Sequence, residues 1–361
     1  MDYNKKLHDL ADKYKQFFSD NTPGQIIAMV PPYTFSLDYG ALGLPPRKNL
    51  DEWDFNNLRP FFEQGLKRQR AYEMYTKDME NDYVPTMGVN FGYGAHSAYF
   101  TGAEVIMGKE TSWTKPWLTD WAMLDDLKHD ENNLWFRRIM EGYQLLKEMQ
   151  DGDYVVNGFA NAGPGDMANA IRGDELFMDV YDEPEKVHRL MDLCADAAIW
   201  LEEAYIKTVN SRLKGGTVTA NTWFPGDAPY LSEDFSDLCS PDLFAEFGQK
   251  HTQKIIDHFK GAFIHHHAKG AHIHHLLANM PHLKLLEQSW DPNCSRPIDR
   301  LPELIEMHNA NNLPFMTRCH ATDVYDRIDE LKKGRVVLMI NLDNLEQGKE
   351  VMKFIRKHSK I

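Results

Sequence analysis

A chain of 361 residues, 42% hydrophobic, 12% aromatic and 26% charged, has the apolar content of a globular protein and room for one large α/β unit or two average domains. Its net charge of −14 and pI near 5.6 would repel a phosphate backbone or an anionic bilayer, so nucleic acid and membrane are excluded as main partners. Met1 to Gln16 carries no signal-like apolar stretch, no long apolar run occurs, and Cys194, Cys239, Cys294 and Cys319 are scattered, which predicts a cytoplasmic protein in a reducing compartment.

Short apolar, β-branched runs recur between longer segments of helical periodicity, the pattern of βα units on a parallel sheet. In chain order they are Gln25 to Val30, Val84 to Val89, Tyr154 to Phe159, Thr217 to Trp223, Ala262 to His267, Leu283 to Trp290, Leu313 to Cys319 and Arg335 to Asn341. Eight such units predict a single (β/α)8 barrel over residues 1–361, with an open doubly wound sheet as the competitor. The long intervals before the second and third runs predict N-terminal insertions over one mouth of the barrel. Asp182-Glu-Pro-Glu185 opens a helix reaching Val209, with acids and proline in its first turn. Ser240-Pro241 caps another, whose buried stripe is Leu243, Phe244 and Phe247. Gly163-Pro-Gly165 reads as turn chemistry.

In such a barrel the chemistry comes from strand ends and the loops just after them, which are polar here. The fifth run continues into six histidines within eleven residues, His265 to His275. Strand alternation turns His265 and His267 to one side and His266 to the other, so the pair can offer two imidazoles to one metal ion. Zinc needs further donors, and Cys319 or Glu287 on neighbouring strands could supply them; the bland alternative is neutral, hydrogen-bonded filler. His272, His274 and His275 open the next helix and suit a solvated or supporting role. Lys269 could stabilise an anionic substrate and Arg318 could grip a carboxylate. Asn341, ending the eighth run, joins the candidates for substrate binding. Tyr33, Trp223 and Tyr230 are predicted to wall a small-molecule pocket, with Asp227, Tyr230 and Glu287 as candidate catalytic groups.

Two further segments, Gly163-Pro-Gly-Asp-Met-Ala-Asn-Ala-Ile-Arg-Gly173 with the following Leu176 to Leu190, and Ser240-Pro-Asp-Leu-Phe-Ala-Glu-Phe247 ahead of the histidine strand and Gly270, resemble the uroporphyrinogen decarboxylase superfamily. The resemblance runs from about Tyr83 onward and implies a single α/β barrel. The decarboxylases of that superfamily carry an Arg-Gln-Ala-Gly-Arg segment for the substrate's carboxylates, whereas this chain reads Pro31-Pro-Tyr-Thr-Phe-Ser-Leu-Asp38. The zinc-dependent methyltransferases carry His-x-Cys on the fifth strand and a further Cys near the eighth. Here His265 matches the histidine, His267 replaces the cysteine, and no cysteine stands near Asn341 to Asp343. The resemblance therefore implies a variant zinc site of His265, His267 and Cys319, with Glu287 a further candidate. It implies methyl transfer involving a corrinoid protein partner, whose existence the chain itself does not decide, since no corrinoid-binding Asp-x-His-x-x-Gly segment occurs in it. A decarboxylase-like enzyme acting on a porphyrin or other carboxylated molecule, and a binding protein without catalysis, are the alternatives. Homo-oligomerisation is left open.

Overall fold

The computed structural model describes residues 3–209 and 212–361. Its centre is a seven-stranded sheet: β1 (Gln25–Met29), β2 (Ala160–Ala162), β3 (Tyr230–Ser232), β4 (Phe263–His266), β5 (Leu285–Gln288), β6 (Phe315–His320) and β7 (Arg335–Asn341), in the order β1-β7-β6-β5-β4-β3-β2. Every neighbouring pair is parallel. Parallel strands need crossovers, and helices such as Pro184–Val209, Lys250–Phe259, His274–Ala278, Leu301–Ala310 and Ala321–Leu331 supply them. β7 is buried through six of its seven residues and β1 throughout, which explains why both read as continuous apolar runs rather than alternating ones.

The helix from Pro184 buries Val187, Leu190, Met191, Cys194, Leu201 and Tyr205, a stripe with spacings of three, four and seven. Each of its buried leucines contributes about 1.5–3 kcal/mol relative to an exposed one. The Ser240 Oγ accepts the Leu243 N–H at 3.2 Å, and the helix it caps runs to Phe259 through a π-helical stretch at Phe244–Gln249.

Thr217 to Trp223 does not form the expected strand of the parallel sheet. The chain turns back at Ala220 and Asn221, whose φ values of 48° and 57° are those of a two-residue hairpin turn. The result is an antiparallel hairpin, Gly216–Thr219 against Thr222–Pro225. The strand that pairs with β4 is the three-residue β3, whose Pro229 flank and brevity hide it in the sequence. Thr86–Met87 and Val155–Val156 pair with each other as a separate parallel ladder. The Asp82 N–H donates to the Ala28 carbonyl at 3.0 Å, tying the segment before Thr86 to β1. Among the described residues, no helix is long and apolar enough to cross a membrane.

Candidate metal centre

β4 ends in His265 and His266, and His267 follows as the chain leaves the sheet. The pleat separates the three rings. His266 turns behind the sheet, where its Nε2 lies 2.7 Å from His274 Nδ1 and His274 Nε2 lies 2.9 Å from His308 Nε2. His265 and His267 meet on the other face, their Nε2 atoms 3.4 Å apart.

Register places the partners of this pair. His265 is level with Glu287 on β5, and its Nδ1 is 2.8 Å from Glu287 Oε2. Asp291, just beyond the end of β5, puts Oδ1 at 2.6 Å from His267 Nδ1 and takes the Lys269 backbone N–H on Oδ2 at 3.1 Å. A carboxylate only accepts, so each Nδ1 carries the proton and each Nε2 presents a lone pair. The third converging group is Asp234, in the turn after β3. Its Oδ1 is 3.5 Å from His267 Nε2 and is buried without a hydrogen-bond partner. That turn is held from below by Asp166, whose carboxylate accepts the backbone N–H groups of Asp234, at 3.0 Å, and of Phe235.

Two imidazole lone pairs and a carboxylate oxygen, all within 4.8 Å of one another, repel unless a positive charge lies among them. Either a proton on His265 or a metal ion can provide it. Zinc bonds of about 2.0–2.1 Å at tetrahedral angles put ligand atoms about 3.3 Å apart, close to the 3.4 and 3.5 Å found here. Hanging each ligating histidine from a carboxylate is also how proteins orient metal-bound imidazoles. The donor set therefore fits a divalent ion, with two nitrogens and one oxygen.

The surroundings are acidic. Burial, followed by the charges of Asp234 and Glu233, holds the Asp166 carboxyl well above the usual carboxylate range. Burial pushes Glu233 up to about 8 against its hydrogen bond from Thr252, and raises Asp237 despite His267. For His265, burial opposes protonation, but the Glu287 carboxylate outweighs it and the pKa is raised. Asp291 is lowered: its hydrogen bonds from His267 and Lys269 overcome the effect of burial. Arg318, on β6, is half-buried, with its Nε unpartnered and its guanidinium 5.2 Å from the Tyr33 ring. Among the described residues no carboxylate pairs with it.

The structure brings together several of the residues singled out from sequence and disperses others. Tyr230 stands beside the pair, its ring 6.1 Å from that of His265. Tyr33 is 59% exposed, and its hydroxyl reaches Met339 Sδ at 3.2 Å. Lys269 lends its backbone N–H to Asp291 while its side chain is exposed. Asn341 is half-buried at the end of β7, level with His320. Glu287 is a support for His265 rather than one of the three converging donors.

Cys319 is not brought to the pair. It alternates with Arg318 along β6 and is 3% exposed in an apolar cluster with Ile340, Val324 and Ala321, where burial raises its thiol pKa. Trp223 and Asp227 also lie elsewhere, because Trp223 is part of, and Asp227 follows, the hairpin ahead of β3 and not a strand of the central sheet. The Trp223 indole N–H donates to the Leu213 carbonyl at 2.7 Å, and Asp227 pairs with Arg212 at 2.7 Å. Gly163 and Gly165 allow close approach, but to protein: a Cβ on Gly163 would meet Glu233 Oε1 at 2.7 Å, and one on Gly165 the Phe235 ring at 2.5 Å.

Sequence reasoning missed Asp234, Asp291 and Asp166. Asp234 would have been the second residue past a strand end had the strand been placed at Tyr230–Ser232. Asp291 follows Glu287 by four residues in a stretch already marked as polar. Compared with models of known protein families and with curated proteins, the chain matches none.

Proposed function

We propose that this chain is a metal-dependent enzyme built on a closed (β/α)8 barrel, with a divalent ion, zinc, held at the C-terminal ends of the strands by His265, His267 and Asp234. One observation carries the reading: both Nε2 atoms and the orphaned Asp234 Oδ1 converge while both Nδ1 atoms are pinned by carboxylates. Closure of the barrel is supported by the seven-strand parallel order and by the ladder of Thr86–Met87 with Val155–Val156, which lies in the interval between β1 and β2. The reaction proposed is methyl transfer, the activity that the sequence resemblance implies, to a small molecule, with a separate corrinoid protein as the other participant.

When bound, the ion would supply Lewis acidity to a substrate heteroatom. The chain's own residues would do the rest. Glu287 and Asp291 hold the two imidazoles in the tautomer that leaves Nε2 free. Arg318 offers an uncompensated charge to an anionic part of the substrate, and Tyr230 walls the site beside His265. A carboxylate in place of the thiolates of the resembling enzymes makes the donor set harder, which favours a substrate bound through oxygen or nitrogen.

Free methylcobalamin can stand in for the corrinoid partner in a test with pooled thiol, phenol and amine acceptors. The expected result is loss of its methyl group that requires zinc and fails in His265→Ala. Demethylation that is indifferent to both, or absent with every acceptor class, would remove methyl transfer and leave the metal assignment to be judged on its own.

A further inference from the structure

The N-terminal segment forms a second concavity, whose wall includes Tyr33, the neighbour of Arg318. A cavity of about 510 Å3 lies between the segment from Pro32 to Gln69 and the residues Thr86 to Gly88, within the size range of small-molecule sites. Tyr39, Trp53 and Phe61 give it aromatic walls, the last two in edge-to-face contact at 5.5 Å. A second hollow of about 420 Å3 adjoins it, sharing Arg47, Trp53, Phe61 and Asn90.

Charge in this cleft runs against the rest of the molecule. The chain carries −14, yet Arg47 and Arg68 line the first hollow, and Arg47, Lys48 and Lys109 line the second against one acid, Glu110. Among the described residues none of the four cations pairs with a carboxylate. Arg68 is fixed in place, its guanidinium 4.5 Å from the Tyr39 ring and donating to the Pro45 carbonyl at 2.6 Å, while its Nε is buried without a partner. Lys48 sits 4.8 Å from the Trp53 ring. Unpaired guanidinium groups beside aromatic faces suit a flat π-system bearing negative charge, because stacking and charge-assisted hydrogen bonds then act on one ligand.

We infer that this cleft binds a planar aromatic or heteroaromatic molecule carrying a carboxylate or phosphate. Its position makes that molecule the substrate class of the metal centre. Tyr33 lines the cavity and also touches Met339 and Arg318, and Arg318 lies on β6 two residues beyond Met316, which is level with Glu287 and, through it, with His265. A ligand seated on Trp53 and Arg68 therefore points past Tyr33 toward the histidine pair. The inference rests on the metal-enzyme reading for the ligand's role as substrate, and on the cleft alone for binding.

The test is equilibrium titration with 2-naphthoate, 2-naphthyl phosphate and the neutral 2-naphthalenemethanol. At least one anion should bind about tenfold or more tighter than the alcohol, and its identity assigns the anionic group as carboxylate or phosphate. Arg47→Met, at an exposed position where folding is not at stake, and Arg68→Met should each weaken the anion by about tenfold. His265→Ala should lose the metal and leave this affinity unchanged, so a wild type that binds the naphthalene anion yet takes up no zinc would fault the metal reading and spare the cleft. Equal binding of anion and alcohol, no saturable binding, or full affinity in both arginine variants would overturn the inference.

Discussion

Replacing His308 should change how the protein's stability depends on pH, by an amount that follows from its burial. His266, His274 and His308 form a hydrogen-bonded chain that ends on the Leu313 carbonyl, 3.1 Å from His308 Nδ1. Burial drives His308 down to about 4 and His266 to about 3, and holds His274 well below 6.5. Below pH 6.5 the unfolded chain protonates each of these rings while the folded one does not. Each therefore withdraws stability as pH falls from 6.5 toward its folded pKa, by about 1.4 kcal/mol per pH unit. Glu202 and Glu233, raised to about 8 by burial, act in the opposite sense over the same range, so the difference between variant and wild type is the quantity to measure. His308→Leu leaves His274 Nε2 and the Leu313 carbonyl without a partner, a cost of about 1–3 kcal/mol at pH 8. Between pH 8 and about pH 5 it also escapes one histidine's loss, about 2 kcal/mol. Urea unfolding of the chelator-treated proteins should show the variant's deficit shrinking by that amount, to within about 1 kcal/mol of zero near pH 5. A deficit that is the same at both pH values would refute the neutral, buried chain.

Other residues give sharper tests of the site. Asp291→Asn must turn an NH2 group toward either the Lys269 N–H or His267 Nδ1; the first opposes two donors and the second moves the imidazole proton to Nε2. Chelator competition should show metal affinity falling about 10–100-fold, and wild-type affinity would mean that Asp291 does not set the tautomer. Gly163→Ala drives a methyl group against Glu233 and the Ser232 carbonyl, and backbone cannot rotate away. It should cost about 1–3 kcal/mol in urea unfolding and weaken metal binding by displacing the Asp234 turn; unchanged stability would contradict the close contact. Cys319→Ala should leave metal content untouched, and loss of the ion would restore the thiol as a ligand.

The parallel sheet was legible because fully buried strands such as β1 and β7 stand out as apolar runs between helical segments, and alternation alone sorted His265 and His267 from His266. The reading failed where backbone conformation departs from residue preference. Ala220 takes a positive φ that nothing in its chemistry announces, so a hairpin was taken for a strand and the true β3 passed as loop. That one displacement cost Asp234, and it moved Trp223 and Asp227 into the site on paper while the fold puts them before the strand. Cys319 failed for a different reason: thiolate chemistry outweighed the pleat, although its neighbour Arg318 had already been assigned to the mouth.

Metal stoichiometry of the protein purified without a histidine tag, measured by mass spectrometry alongside His265→Ala, His267→Ala and Asp234→Ala, tests the central claim most directly. The account predicts one tightly held divalent ion per chain in the wild type and none in any of the three variants, all of which remain folded because the core does not depend on the ion. A wild type that stays metal-free under zinc titration, or a full ion retained in all three variants, would contradict it and leave the proton on His265 as the charge that holds the cluster together.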